Sequence, residues 1–169
     1  MAMPRKLKFF NTFIDGSSYL GECVELTLPT LSRTMEDYRA GGMSGPVKVD
    51  LGQEAIELEA TFGGLMRPIL RQYAAARHDA VALRFAGAYQ RDDNGSVQSV
   101  EIVVRGRWSE IEPGSAKGGE DTEFKSKLAC SYYKLIVDGR EEIEIDLLNM
   151  IERIDGVDRL AEHRRAIGA

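Results

Sequence analysis

The chain reads as a mainly-β domain, a barrel or sandwich of about seven strands with one packed α-helix and a short C-terminal helix. Three observations predict this class. Apolar and polar residues alternate with period two over most of the chain. Glycine and aspartate punctuate those runs at turn positions, and only two segments carry helical spacing. At 169 residues, 43% hydrophobic and 29% charged, the composition is that of one globular domain with room for a real core.

The elements follow in order. Val24, Leu26 and Leu28 alternate with Glu25 and Thr27 until Pro29 closes the run. Val47, Val49 and Leu51 alternate with Lys48 and Asp50. After Gly52 the phase changes by one residue, and Ile56, Leu58, Ala60 and Phe62 become the apolar set. A phase change at a glycine predicts a bulge within one long bent strand. Val81, Leu83, Phe85 and Tyr89 form the next strand, and Asp93-Asn94-Gly95 turns it into a strand with Val100, Ile102, Val104 and Trp108 on one face. Phe124, Leu128 and Cys130 open a strand that continues through Tyr132 and Tyr133 to Val137. Asp138-Gly139 then turns the chain into a strand with Ile143, Ile145 and Leu147 on one face.

Leu65, Met66, Ile69, Leu70 and Tyr73 have helical spacing, and Pro68 places the helix start near Gly64 to Arg67. A second helix spans 157–167, with Asp158 as its N-cap and basic residues in its last turn. Residues 1–169 form a single domain in this reading, with glycine-rich irregular stretches at 39–46 and 112–121.

Composition excludes several function classes. A formal net charge of -5 lacks the basic footprint of a nucleic-acid binder. Two cysteines, Cys23 and Cys130, make no disulfide framework and read as buried thiols of a reducing compartment. The apolar stretch near the N-terminus is too short for a signal peptide core, and no run approaches the roughly 18 apolar residues of a membrane helix. The expectation is a soluble protein made in a cytoplasm, with no membrane partner.

No catalytic, metal or cofactor site is expected. His78 and His163 sit at polar helix ends, away from other ligand-type side chains. Gly42-Met43-Ser44-Gly45 lacks the spacing of a nucleophile elbow, and the 114–119 loop lacks that of a phosphate loop. Asp92-Asp93-Asn94-Gly95 lacks the later glutamate of a calcium loop. What stands out is acid on the polar faces of two long strands: Glu54, Glu57 and Glu59 on one, and Glu142, Glu144 and Asp146 on the other. Such a sheet keeps one face for its core and one hydrophilic face to line something, although Lys125 and Lys127 temper its charge.

Particular residue strings add a resemblance. Tyr38-Arg39-Ala40-Gly41-Gly42-Met43 followed by Pro46-Val47 resembles the major tail tube proteins of contractile-tailed phages and R-type pyocins. So do Phe13-Ile14-Asp15-Gly16, Leu26-Thr27-Leu28-Pro29, Ser131-Tyr132-Tyr133-Lys134-Leu135, Val137-Asp138-Gly139-Arg140-Glu141 and Glu144-Ile145-Asp146. Asn149, Gly156-Val157-Asp158 and Leu160 complete a series that runs from end to end in one order, with few matches between Ala74 and Glu123.

The resemblance implies a tail-tube β-barrel-like domain that forms hexameric rings, stacked into the inner tube of a contractile tail. It implies a surrounding sheath, an enclosed tape-measure protein, and baseplate and tail terminator proteins at the ends. DNA then passes through the lumen without specific binding, the chain resides in the virion, and assembly takes place in the host cytoplasm. If six subunits each give four strands at about 4.8 Å spacing and about 40° tilt, the barrel is roughly 45–50 Å across, wide enough for duplex DNA. An acidic lining would repel phosphates, so Glu57, Glu59, Glu142, Glu144 and Asp146 are expected to line the lumen. The loop 34–46 is expected to reach the neighbouring ring through Tyr38, Arg39, Gly41, Gly42 and Met43, because tyrosine and arginine favour interface anchors. A pyocin or type VI secretion tube shares the architecture with other cargo. A monomeric β-barrel holding a small apolar ligand is the alternative from a different class.

Overall fold

The computed structural model describes residues 1–169. The elements are β1 (Lys6–Ile14), β2 (Ser17–Ser18), β3 (Cys23–Thr27), β4 (Arg33–Tyr38), β5 (Val47–Gln53) and β6 (Ile56–Phe62), followed by α1 (Arg67–Gln72). Then come β7 (Val81–Gln90), β8 (Val97–Glu112), β9 (Phe124–Val137), β10 (Arg140–Asp146), β11 (Ile151–Ile154), β12 (Val157–Asp158) and α2 (Ala161–Ile167). All strand pairs are antiparallel.

β8 and β9 organise the molecule. β9 pairs β8 along one edge, while its other edge is shared: β6 lies beside Phe124–Cys130 and β10 beside Tyr132–Val137. β7 covers only the Val97–Gly106 half of β8. The result is a large layer in the order β12-β11-β10-β9-β8-β7-β1-β2 and a four-stranded layer of β3, β6 and the remaining halves of β9 and β8. Strands that switch layers need a bend, and a bulge supplies it. Arg105 faces Tyr132 and Gly106 faces Cys130, so Ser131 is the extra residue and inverts the phase of β9. Phe124, Ser126, Leu128 and Cys130 point inward before it, and Tyr133 after it.

Both layers bury their apolar faces in one core. Phe62, Phe85, Trp108 and Phe124 fill its centre, with Ile56, Leu58, Leu83, Val104 and Leu128 around them. Tyr19 from the large layer meets Phe62 of the small one with ring centroids 5.6 Å apart. α1 begins at Arg67 with Pro68 in its first turn, where a missing N–H costs nothing, and buries only Ile69. Its Gln72 accepts from the Trp108 indole N–H at 2.9 Å and donates to Asp15, which straps the helix between the layers. Neither cysteine is bonded; Cys130 is buried and Cys23 half-buried, and burial pushes the Cys130 thiol up to about 12.

Several expectations need correction. The sheet system has twelve strands rather than about seven, because β1, β2, β4, β11 and β12 also form. Val47 to Phe62 is not one bent strand: β5 and β6 belong to different sheets, with Glu54-Ala55 between them. The bulge does fall at Leu51-Gly52, inside the pairing of β5 with β4, where Gly52 takes φ +122°. Val24 is exposed rather than inward, because Cys23 faces Phe62 and Glu25 faces Thr61, leaving Val24 as a bulge residue.

The second helix starts at Ala161, not 157, since Val157 and Asp158 pair with β11. Asp158 nevertheless serves the helix from just outside it: its carboxylate accepts from Leu160 N–H at 3.1 Å and pairs with Arg164 at 2.5 Å. The Arg164 guanidinium, and then the Leu160 N–H, hold the Asp158 carboxyl below the usual carboxylate range. A depressed pKa contributes stability that is complete above the unfolded value near 4 and is lost as pH falls through the folded one. Amide exchange in α2 is therefore expected to accelerate below about pH 4, ahead of the sheet core. Protection of α2 that is unchanged down to about pH 2 would show that another contact holds the helix.

Candidate functional site

Two surfaces hold the residues that the sequence singles out. The first is the hairpin of β4 and β5, hydrogen-bonded to no other strand. Its base is latched by Arg33, whose guanidinium meets Asp50 across the hairpin at 2.9 Å and Glu152 of β11 at 2.9 Å. Gln53 Nε2 and Glu54 N–H both donate to the Ser32 carbonyl, at 3.0 and 2.9 Å. The Gly52 N–H, followed by Arg33, lowers the Asp50 carboxyl from its ordinary value.

Beyond that base the ribbon stands free. The register pairs Tyr38 with Val47 and Glu36 with Val49, while Asp37 meets Lys48 on the opposite side at 3.0 Å. Val47, Val49, Leu51 and Tyr38 are exposed. At the tip, Tyr38, Arg39, Gly41 and Gly42 are exposed, and Gly42 takes φ +88° to close the turn. Met43 folds back instead: its N–H donates to the Ala40 carbonyl, and its sulfur accepts from Ala40 N–H, both at 3.2 Å. It closes the tip from within.

The second surface is the outer face of the bent sheet. On the four-stranded layer, Glu59 faces Lys127 and Glu57 faces Ala129, with Arg107, Glu110 and Glu112 following on β8. Lys127 lies 3.6 Å from Glu110 and Lys125 lies 3.8 Å from Glu123, so the signs are interleaved.

Beyond the bend, β10 offers a different environment. Glu144 accepts from the Tyr132 hydroxyl and from Arg153, each at 2.7 Å, and its side chain is only 14% exposed. Burial, and then Glu144, pushes the Tyr132 hydroxyl up to about 12. Glu141 lies 3.3 Å from Lys134 and 3.6 Å from Arg153. Asp146 caps the turn after β10, accepting from the N–H groups of Leu148 and Asn149 at 3.2 and 3.1 Å. Glu142 sits at the bulge in the β10–β9 pairing, and its carbonyl accepts from Asp155 N–H.

The five carboxylates therefore do not form one acidic stripe. Glu57 and Glu59 belong to the small layer, whereas Glu142, Glu144 and Asp146 lie on the large one. Of the five, only Glu144 is ion-paired, with Arg153 and Lys134 across the sheet, while Lys125 and Lys127 meet Glu123 and Glu110 instead, which alternation within a single strand cannot reveal. Only the register matches Lys134 and Arg153 to Glu144.

His78 is exposed yet engaged: its Nδ1 lies 2.8 Å from Ser131 Oγ. Asp79 turns to Arg77 at 3.0 Å, so the three side chains make no relay. His163 is exposed on α2, no group of His, Cys, Asp and Glu has the spacing to hold a metal ion, and no helix is long and apolar enough to cross a membrane.

Comparison with known proteins gives consistent results. The profile of the family described as phage tail tube protein FII matches residues 4–168. The chain is 52% identical over 171 residues to the tail tube protein of Escherichia phage P2, covering 99% of each chain. It is 41% identical over 158 residues to the major tail tube protein of Serratia phage KSP20, covering 92% of this chain and 91% of that one. Among solved structures, the sheath-tube complex of an extracellular contractile injection system, PVC, in its extended state gives a TM-score of 0.58 at 10% identity. That match covers 79% of this chain and 90% of the other. The sheath/tube terminator of the same system gives 0.56 at 10% identity, over 79% and 96%. At such identity the likeness is one of fold.

Proposed function

This chain belongs to the phage tail tube protein FII family and is a structural subunit of a contractile tail's tube, and from that premise we propose how it builds one. Copies close side by side into rings of six, the rings stack, and the outer face of the four-stranded layer lines the bore. One observation carries this choice of face. Glu57, Glu59, Arg107, Glu110, Glu112, Lys125 and Lys127 occupy it, and the one large apolar side chain exposed on this layer is Val24, at the bulge of β3.

A water-filled channel needs such a lining, and interleaved signs suit passage of a polyanion. Carboxylates such as Glu57 repel phosphate, while the lysines stay occupied by neighbouring acids. The lining is thus polar with acidic points rather than uniformly acidic. Glu144 and Asp146 are assigned structural work within β10 and its turn, and Glu142 joins them on the same layer.

Closure of the rings leaves the hairpin to bridge successive rings, with Tyr38, Arg39, Gly41 and Gly42 at its far end and Met43 shaping the tip. The sheath would surround the tube. The tape-measure protein would occupy the bore during assembly in the host cytoplasm, baseplate and terminator proteins would bound the tube, and DNA would follow. A small-ligand barrel would need an internal cavity, whereas Phe62, Phe85, Trp108 and Phe124 fill this interior.

Thiol labelling tests the bore. A Glu57→Cys chain is expected to react with a bulky polyethylene glycol maleimide when unassembled and to be shielded from it in intact tubes. Equal labelling rates in the two states would place this face on the outside and defeat the proposal.

A further inference from the structure

Two apolar surfaces of this chain have no partner within it. One is the side of the hairpin that carries Tyr38, Val47, Val49 and Leu51. The other is a shallow depression of about 380 Å³ on the outer face of β1, β7 and β8. Phe9, Leu20 and Val97 stand around it, 79%, 70% and 63% exposed, and Ala86, Gly87 and Ala88 form its floor. The register fixes that arrangement: Phe9 faces Ala88, and Ala88 faces Ser99, on the side of the sheet away from the core.

We infer that the apolar side of one copy's hairpin docks in this depression on another copy. This deepens the ring-bridging role proposed for the hairpin and rests on it. A lone two-stranded ribbon is marginal in water, so this one needs a third surface beside it. The floor of small residues leaves room for Val47, Val49 and Leu51, while Phe9 and Val97 can flank them. Charge fits as well. Lys6 faces Gln90 beside Val97 at one border of the depression, and the hairpin brings Glu36, which faces Val49 on the docking side.

The topology of such a contact suits a tube. Hairpin and depression are different surfaces of one chain, so the contact is head-to-tail and every docked copy presents a fresh site to the next. A surface that met its own duplicate would stop at pairs.

Disulfide trapping tests this. With Val49→Cys and Ala88→Cys in one chain, oxidation of assembled tubes is expected to give a ladder of covalent multimers. Mixed chains that carry one substitution each should give dimers only, and neither chain alone should give any. Independently, Ala88→Asp should lower tube yield at least about tenfold while leaving the monomer's melting temperature unchanged.

Tubes that form without any such crosslink would overturn the docking and leave the tube reading intact. Failure of the unsubstituted chain to enter tubes would overturn both. Full-length Ala88→Asp tubes that no longer recruit sheath would assign the depression to the sheath and likewise overturn the docking.

Discussion

Replacing Phe62 with alanine is expected to lower the unfolding free energy by about 4 kcal/mol. Phe62 is fully buried near the end of β6, and its ring is the place where the two layers meet. Tyr19 packs edge-on against it at 5.6 Å, and Phe124 lies at 6.3 Å on the neighbouring strand. Both neighbours are held by strands or turns that cannot follow the missing ring inward, so the cavity persists. The loss combines the transfer term of a phenyl group with the cavity left behind.

Urea denaturation reads this directly. At a slope near 2 kcal/mol per molar, the midpoint should fall by about 2 M. Phe62→Leu, which retains most of the volume, should cost roughly 1.5 kcal/mol. A loss below about 1 kcal/mol for the alanine variant would mean that the layers do not meet at this ring.

Gly106→Ala is expected to destabilise by about 3 kcal/mol, against the usual direction of a glycine replacement in a strand. Alanine normally gains about 0.5–1 kcal/mol there by restricting the unfolded chain. Here a Cβ would stand 2.1 Å from the Ala129 carbonyl oxygen and 2.8 Å from its carbon. Those atoms are backbone on the facing strand, so relief requires opening the β8–β9 pairing at the bulge that carries both strands between layers. The melting temperature should drop by about 9 °C for a chain of this size.

Gly118→Ala is the control, because no heavy atom lies within 4 Å of where its Cβ would stand. A Gly106→Ala protein as stable as the parent would show that the bend does not depend on this close approach. Because the sign differs between the two arguments, the experiment decides between backbone entropy and steric contact.

Much of the fold was legible because its signals are local. The Asp138-Gly139 turn lies between alternating runs, and both residues take positive φ, 50° and 79°. Asp15-Gly16 and Asp155-Gly156 take the same form, at 49° and 83° and at 52° and 75°. Those two pairs were the available signal for β1–β2 and β11–β12. That signal stands without a strand pattern around it, because β1 carries a register shift between Leu7 and Phe9 that breaks its alternation and because β2 and β12 are only two residues long.

The site divided in the same way. The hairpin tip was legible from Tyr38 to Met43 as a motif, yet the inward fold of Met43 depends on a turn geometry that only coordinates reveal. Glu144 and Glu57 look alike in sequence, each on the polar side of an alternating strand. They part company because Tyr132 and Arg153 close on Glu144 from β9 and β11, whereas Glu57 faces Ala129.

By itself, then, the order of residues determined the strands from β6 to β10, their inward faces and where the tightest turns fall. Those properties follow from side-chain periodicity and backbone preference within a few residues. Tertiary structure alone decided that β5 leaves the body for a hairpin while β6 enters the core, that β9 changes neighbours at Ser131, and which carboxylates meet a cation. Strand pairing joins residues far apart in the chain, and one inserted residue inverts every contact beyond it. No local pattern carries that information.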